Sequence, residues 1–188
     1  MMIKIYSLVI VLSTVVLYFN TLKNDYALDD ALVLNENQFV KQGVKGLKNI
    51  FKYDSFRGFF GTEKKLVQGG RYRPLSLATF AVEYDLFGLK PRVHHAVNII
   101  LYGILGIGIF YFLRNILQLF AVAHSIEIAF FTTLIFMVHP VHTEVVANIK
   151  GRDEILAMLF GILYLQVIAD GIKRSFNVGH IFGAVFLL

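Results

Sequence analysis

Long runs of apolar residues, separated by polar connections, divide the chain. They cover residues 5–22, 96–113, 121–138 and 155–169, and only the third contains acidic, basic or histidine side chains, His124 and Glu127, near its start. A helix needs about 20 predominantly apolar residues to cross the hydrocarbon layer of a bilayer. The pattern therefore predicts an all-α membrane protein, a polytopic helical bundle with about four transmembrane helices.

A shorter apolar stretch follows at residues 178–188. With a rise of about 1.5 Å per residue, it reaches through roughly half of a bilayer. We therefore expect a truncated fifth helix, and we interpret residues 1–188 as the N-terminal portion of a single, longer transmembrane domain without a separate soluble domain. The first run is interpreted as a signal anchor, because no small-residue cleavage site follows it.

Positive charges in the short connections predict the orientation. With the N-terminus inside, the cytoplasmic connections carry most of the bases, as the positive-inside rule requires. The inner bases are Lys4, Arg114, Lys173 and Arg174, and those of the opposite short loop are Lys150 and Arg152. We therefore expect a multi-pass protein with a long outer loop over residues 23–92 and a second outer loop over residues 139–154, both extracytoplasmic.

The long outer loop contains two predicted helices. Lysines recur at helical spacing on one face between residues 41 and 52, and apolar residues occupy another face. This pattern predicts an amphipathic helix that lies on the membrane surface. Pro74 suits the first turn of a second helix over residues 75–87, and Gly88 suits its end.

Composition agrees with a membrane protein and excludes other classes. Hydrophobic residues make up 56% of the chain and charged residues 16%, with a mean hydropathy of +0.64. The absence of Cys excludes a disulfide scaffold, a cysteine nucleophile and a cysteine zinc site. The net charge of +5 comes from bases that lie mainly between the apolar runs, which favours a phosphate-bearing membrane lipid over nucleic acid as partner.

An acidic pair, Asp29 and Asp30, lies a few residues beyond the first apolar run, among apolar neighbours. Two adjacent carboxylates just above a bilayer can provide a general base with a raised pKa, or can bind a divalent cation. The structural alternative is a helix N-cap beside a solvated acid.

Histidines accompany the outer ends of the predicted helices. His139, His142 and Glu144 lie within six residues around Pro140, and this set can ligate a cation, hydrogen-bond a substrate or cap the helix. Pro140 rules out the helical arrangement of a metalloprotease motif. A second polar group, at the start of the second membrane helix, is a further candidate for substrate contacts and comprises His94, His95 and Asn98.

Cationic side chains form the last candidate site. Lys150 and Arg152, next to Asp153, lie at the start of the fourth membrane helix, where backbone N–H groups also favour an anion. Arg73 precedes the rigid Pro74 and can likewise recognise phosphate. The alternative for the group around residue 152 is a salt-bridged helix cap.

Four motifs, in order along almost the whole chain, carry a family resemblance. They are Leu28-Asp29-Asp30, Tyr72-Arg73-Pro74-Leu75-Ser76, Gly88-Leu89 to His95-x-x-Asn98, and His139-Pro140-Val141-His142-Thr143-Glu144 through Gly151-Arg152-Asp153-Glu154. This set resembles the N-terminal part of the TMTC-like (transmembrane and tetratricopeptide-repeat) membrane glycosyltransferases. These are related to protein O-mannosyltransferases and have the GT-C fold.

The resemblance implies transfer of a sugar from a polyprenyl-phosphate carrier to a hydroxyl of an extracytoplasmic acceptor, a protein or a glycan. Asp29 or Asp30 would then be the base, and the cations would stabilise the departing phosphate. The phosphate- and substrate-binding candidates are Arg73, Lys150, Arg152, His94, His95, Asn98, His139, His142, Glu144 and Asp153. The candidates for a divalent cation are Asp29, Asp30, His142 and Glu144.

A rival hypothesis is a non-catalytic membrane module, a truncated or degenerate relative that binds lipid or a partner protein. Retention of Asp29, Asp30 and Glu144 argues against it, whereas the expected truncation argues for it.

Overall fold

The computed structural model describes residues 1–62, 64, 71–174 and 178–187. In this part of the chain every regular element is helical, and short 3-10 and π turns connect the α-helices. The α-helices are α1 (Met2–Tyr18), α2 (Leu47–Ile50), α3 (Ser55–Phe60), α4 (Pro74–Phe87), α5 (Pro91–Leu119), α6 (Ser125–Val138), α7 (Thr143–Ala147), α8 (Arg152–Arg174) and α9 (Val178–Leu187).

Three segments of the described chain are long and apolar enough to cross a membrane: Met2–Lys23, Pro91–Leu119 and Ile149–Lys173. A fourth span results if Ser125–Val138 and Pro140–Ala147, which meet at an angle of 52°, count as one broken helix. The prediction of a helical membrane protein is thus confirmed, whereas the number of spans stays a prediction.

The chain divides into two compact units. The span unit comprises Met1–Phe19, Ile99–Thr143 and Ile155–Leu188, and the loop unit comprises Asn20–Asn98 and Glu144–Glu154. Both are assembled from segments that are distant in sequence, so neither forms from one continuous stretch.

In the span unit, α1 packs against α6. The ring of Tyr6 stacks on that of Phe130 with 4.2 Å between ring centroids. Between α5 and α6, the Tyr102 hydroxyl donates a hydrogen bond of 3.2 Å to the Met137 carbonyl. Aromatic and polar contacts of this kind fix helix pairs where lipid removes the hydrophobic driving force for their association.

The loop unit has its own hydrophobic core. Helix α4 begins with Pro74 in its first turn and ends before Gly88, as the sequence predicts. Its buried face packs on the turns around residues 31–50, and the core residues are Val33, Leu34, Val40, Ile50, Leu77, Phe80, Ala81 and Ile149. Burial of this apolar surface holds the polar residues of the unit in place.

The prediction of one continuous amphipathic helix over residues 41–52 is wrong. A 3-10 segment, Val40–Gly46, precedes the short α2, and Gly43 has non-helical angles (φ 60, ψ −144). A positive φ is easily adopted by glycine and interrupts a helix. Gly43 is buried against Asp85 of α4, where a Cβ atom would overlap that side chain. The sequence periodicity did not reveal this close approach.

Other element boundaries also differ from the prediction. The third membrane helix begins at Ser125 rather than at residue 121, because Ala121 and His124 have positive φ angles. Helix α5 extends beyond the predicted run at both ends and takes His94, His95 and Asn98 into its first turns. The last helix covers residues 178–187, and residue 188 of the predicted stretch lies outside the described residues.

Candidate functional site

The two members of the acidic pair have opposite environments. Asp30 is 1% exposed. Its Oδ2 accepts a hydrogen bond of 2.9 Å from the Ala27 N–H, and its Oδ1 accepts one of 2.9 Å from the Lys150 N–H. Asp29, one residue earlier, is exposed. The sequence left their roles open. In the structure Asp30 is buried and binds two backbone N–H groups, whereas the Asp29 carboxylate is accessible.

Burial raises the pKa of the Asp30 carboxyl, and the hydrogen bonds from Ala27 and Lys150 oppose this rise. A buried carboxylate that keeps two backbone donors is a strong local anchor, because both donors favour its charged form. Asp30 therefore ties the turn at residue 27 to the segment at residue 150, which is 120 positions away in sequence.

The backbone that carries the pair is itself unusual. Leu28 has a positive φ of 35°, and its side chain is 92% exposed. A non-glycine residue in this region costs free energy and persists where surrounding contacts impose it. The bonds made by Asp30 are such contacts, and they leave Asp29 directed away from the interior.

Arg152 lies at the centre of the loop unit and is 0% exposed. Its guanidinium donates hydrogen bonds to Asn98 Oδ1 at 2.8 Å, to Thr79 Oγ1 at 2.9 Å and to the His94 carbonyl at 3.0 Å. Both terminal nitrogens also bind the Glu83 carboxylate. An arginine has five N–H donors, and these five bonds engage all of them.

This geometry changes the interpretation of Arg152. Its donors all end on protein groups, and the guanidinium lies over the ring of Phe80, 4.1 Å from the centroid. A phosphate would have to displace these partners, so the structure favours the salt-bridged alternative over the predicted phosphate contact. Asn98, also predicted to bind substrate, is buried and donates to the carbonyls of Asn148 and Ile149.

Glu83 is the residue that sequence reasoning missed. It lies on α4 within a mostly apolar stretch, is 7% exposed, and binds Arg152 and the Nδ1 of His94, the latter at 2.6 Å. A carboxylate within an apolar helix is a signal for a buried partner, because an unpaired charge there is costly. That signal was present at position 83 but did not identify the partner.

His95, next to His94, is also buried and 1% exposed. Its electrostatic interaction with Asp30 opposes the rise in the pKa of that carboxyl. Nearby, burial raises the pKa of Tyr26 to about 12, with smaller contributions from Asp25, Asp30 and Glu83. The Tyr26 ring lies 6.1 Å from that of His94. His94 and His95 are thus interior residues of the loop unit, and their contact with substrate stays a prediction.

A group of partly accessible charges lies at the start of α8. Arg73 Nη1 contacts Asp153 Oδ2 at 2.6 Å, and the side chain of Arg73 is 46% exposed. Lys150 Nζ lies 3.9 Å from Asp153 and 3.7 Å from Glu154. Arg73 and Lys150 therefore share one carboxylate, in a salt-bridged cap with one accessible cation, Arg73, and one largely buried cation, Lys150.

The histidines of the second predicted outer loop belong to the span unit. His139 is exposed, and its Nδ1 accepts a hydrogen bond of 3.2 Å from the Val141 N–H. The ring of His142 lies 4.3 Å from that of Phe136. Glu144 is exposed in the first turn of α7 and belongs to the loop unit. Among the described residues, no group of three or more His, Cys, Asp or Glu side chains is arranged to hold a metal ion.

The structure thus brings most of the predicted residues into one unit. The predicted site residues that lie in the loop unit are Asp29, Asp30, Arg73, His94, His95, Asn98, Glu144, Lys150, Arg152 and Asp153. Hydrogen bonds link Asp30 to the Lys150 backbone, and Arg152 to Asn98 and His94. His139 and His142 lie in the span unit.

Comparison with known proteins identifies the family. Protein O-mannosyl-transferase F38B6.6 of Caenorhabditis elegans is 34% identical over 159 residues, which are 84% of this chain and 22% of the relative. Protein O-mannosyl-transferase TMTC1 of Homo sapiens is 34% identical over 168 residues, 89% of this chain and 18% of the relative. The chain belongs to the TMTC-like family. Protein O-mannosyl-transferase TMTC3 of Homo sapiens is similar too, at 33% over 144 residues, 76% of this chain and 14% of the relative.

This TMTC-like chain spans about one fifth of the length of the first two relatives, 22% and 18%. No protein-family model matches it, and no solved structure matches it. The resemblance inferred from the four motifs is confirmed by these relatives, all of which are named protein O-mannosyl-transferases.

Proposed function

We propose that this TMTC-like chain provides polar active-site loops of a membrane O-mannosyltransferase. The reaction transfers mannose from a polyprenyl-phosphate carrier to a hydroxyl of an extracytoplasmic acceptor protein. The relatives' printed names supply the reaction class. The observation that carries the proposal is the acidic pair, in which a buried Asp30 is bound to the backbone of Lys150 while Asp29 stays accessible.

Asp29 is the base in this proposal. A general base must come within about 3 Å of the proton that it removes. Asp29 is exposed and open to an acceptor hydroxyl, whereas Asp30 is buried and both of its oxygens accept backbone N–H bonds. The acceptor O–H proton passes to the Asp29 carboxylate as the acceptor oxygen bonds to the anomeric carbon. The bond from that carbon to the phosphate oxygen breaks, and the carrier phosphate leaves with the electron pair.

Arg73 and Lys150 are the proposed partners of the departing phosphate. Both bind Asp153 in the structure, and the side chain of Arg73 is 46% exposed. A phosphate adds negative charge and several acceptor oxygens, so it can share or replace the single carboxylate. Arg152 has no such freedom, because its donors are already engaged.

Replacement of Asp29 by Asn tests the proposal. Asn keeps the size of the side chain but cannot accept the proton, and general-base catalysis is typically worth about 10²- to 10⁴-fold. We expect a loss of that size in mannose transfer, measured in membranes with the protein as its gene encodes it and with polyprenyl-phosphate mannose as donor. Membrane insertion should be unchanged.

Asp25→Asn is the matched control, because Asp25 is an exposed carboxylate of the same loop whose oxygen accepts a hydrogen bond from the next backbone N–H in the chain. It should transfer mannose at the normal rate. Unchanged transfer by the Asp29→Asn protein would remove the catalytic assignment and would leave the non-catalytic membrane module as the better hypothesis.

A further inference from the structure

One buried side chain joins α4 to the N-terminal ends of α5 and α8, which lie in the loop unit. Arg152 is the first residue of α8. It binds Thr79 and Glu83 of α4 and the His94 carbonyl and Asn98 side chain of α5. These partners stand 54 to 73 positions before it in sequence. The Arg152 guanidinium therefore ties the α8 N-terminus to α4 and α5.

The same contacts extend to the backbone that precedes Arg152. Asn98 accepts a bond from Arg152 and donates from its Nδ2 to the carbonyls of Asn148, at 3.1 Å, and Ile149, at 3.3 Å. Gly151 packs so closely on the Val145 carbonyl that a Cβ atom would overlap it. The turn at residues 149–151 is thus held from two sides.

This turn delivers the N–H that holds Asp30. The Lys150 N–H donates to Asp30 Oδ1 at 2.9 Å, and Asp30 Oδ2 accepts from Ala27. A continuous series of hydrogen bonds therefore connects Arg152, through Asn98 and the 149–151 turn, to the strained backbone that carries Asp29.

We propose that Arg152, bound to Glu83 and Asn98, is a positioning residue that fixes the acidic pair through the Lys150 amide. The proposal rests on the proposed function, in which Asp29 is the base. Arg152 touches neither donor nor acceptor; it sets the place of the turn to which Asp30 is bound. A small displacement of a catalytic group by a distant change is enough to lower a rate substantially.

A buried ion pair alone does not argue for this role. Taking two charges out of water costs free energy that their attraction often only repays, and an apolar replacement can be equally stable. The use of all five donors of Arg152 on partners from α4 and α5 instead indicates that the geometry of the junction is what the arginine specifies.

Arg152→Lys tests the inference while keeping the positive charge. Lysine has three donors on one nitrogen and no planar fork, so it cannot satisfy the five acceptor atoms that Arg152 binds. In the protein as its gene encodes it, reconstituted in lipid nanodiscs, backbone amide exchange should become about tenfold faster in peptides over residues 25–31 and 148–152. The kcat of mannose transfer should fall by roughly 10- to 100-fold, with KM for the polyprenyl-phosphate mannose donor unchanged.

Arg114→Lys is the matched control. Arg114 binds only its neighbour Asn115 among side-chain hydrogen bonds of the described residues, and it is half-buried on α5. The same chemical change there should leave the amide exchange of both peptides and the kcat unaltered. If Arg152→Lys fails to insert, Thr79→Val removes one of the five acceptors and should shift both measurements in the same direction by a smaller factor.

A double variant separates positioning from general stability. If Arg152 acts through Asp30, then Arg152→Lys should reduce kcat no further in a protein that already carries Asp30→Ala, which removes the acceptors of the Ala27 and Lys150 N–H groups. Losses that multiply in the double variant, or unchanged amide exchange over residues 25–31 in Arg152→Lys, would overturn the inference. Exchange is measured without turnover. A failure of Asp29→Asn to reduce transfer would therefore contradict the proposed function while leaving the link from Arg152 to Asp30 separately tested.

Discussion

The buried carboxyl of Asp30 makes a pH-dependent contribution to stability. Because burial raises its pKa above the ordinary value of 3.8, ionisation is harder in the folded protein than in the unfolded chain. Its contribution to the free energy of unfolding is therefore greatest below that value. It declines as the pH rises from 3.8 through the raised pKa and is constant above it.

Asp30→Asn removes this titration. The Tm of the wild-type protein should fall relative to that of the Asp30→Asn protein as the pH is raised from about 3.5 towards neutrality, with a constant difference at higher pH. Thermal unfolding of both proteins in detergent over this range checks the prediction. Asp25→Asn, an exposed carboxylate of the same loop, corrects for the loss of one charge. Parallel Tm curves for wild type and Asp30→Asn would contradict the raised pKa.

The sequence predicts the chemical types of the site but not their environments. Asp29 and Asp30 are adjacent residues of the same type, yet Asp29 is exposed whereas Asp30 binds two backbone segments. Periodicity cannot separate them, because the second donor belongs to Lys150, 120 positions away. The pairing of Arg152 with Glu83 was hidden for the same reason, since it joins residues 69 positions apart.

Helices that begin and end with proline and glycine were predicted best. Pro74 and Gly88 define α4 in the structure as they do in the sequence, because their effects are local. The interrupted segment Val40–Gly46 shows the limit of this approach. Its lysine spacing is helical, but Gly43 takes a positive φ where the chain packs against α4. A tertiary contact thus overrode a regular local pattern.

Gly151 allows the tight turn at residues 149–151 that binds Asp30 of the acidic pair. A Cβ at Gly151 would overlap the backbone carbonyl of Val145, and backbone cannot move aside as a flexible side chain can. Gly151→Ala should therefore destabilise the protein by about 1–3 kcal/mol and reduce mannose transfer, as seen by Tm and by the membrane assay. Gly161→Ala, further along α8, is the control. A Cβ atom at this position would meet no neighbouring atom within 4 Å, so the substitution should be tolerated. An unchanged Tm for Gly151→Ala would show that the turn at residues 149–151 can shift freely.

At the scale of the whole molecule, the residues of the proposed site and the long apolar helices lie largely in different units. The loop unit contains the acidic pair, the ion-paired cations Arg73 and Lys150, and the buried Arg152, whereas the long apolar helices lie largely in the span unit. The loop unit is assembled from residues 20–98 and 144–154, so its second segment must return to the same side of the membrane as its first. The site can therefore form only if the chain crosses the membrane an even number of times between these two segments.

The bent pair Ser125–Val138 and Pro140–Ala147 decides this number, and cysteine labelling can test it, because the chain contains no Cys. Lys48 and Lys173 are both exposed. If the pair crosses the bilayer, the two positions are separated by three crossings and must lie on opposite sides. If it is re-entrant, two crossings separate them and they must lie on the same side.

We expect opposite sides, with the loop unit extracytoplasmic, because Lys4, Arg114 and Lys173 then fall on the cytoplasmic side, as the positive-inside rule requires. In intact cells, a membrane-impermeant maleimide should label Lys48→Cys directly and Lys173→Cys only after permeabilisation. Labelling of both from outside would make the bent pair re-entrant and would contradict the assembly of the loop unit from residues 20–98 and 144–154. The reverse pattern would put Asp29 on the cytoplasmic face, and the proposed transfer to an extracytoplasmic acceptor could then not occur at this carboxylate.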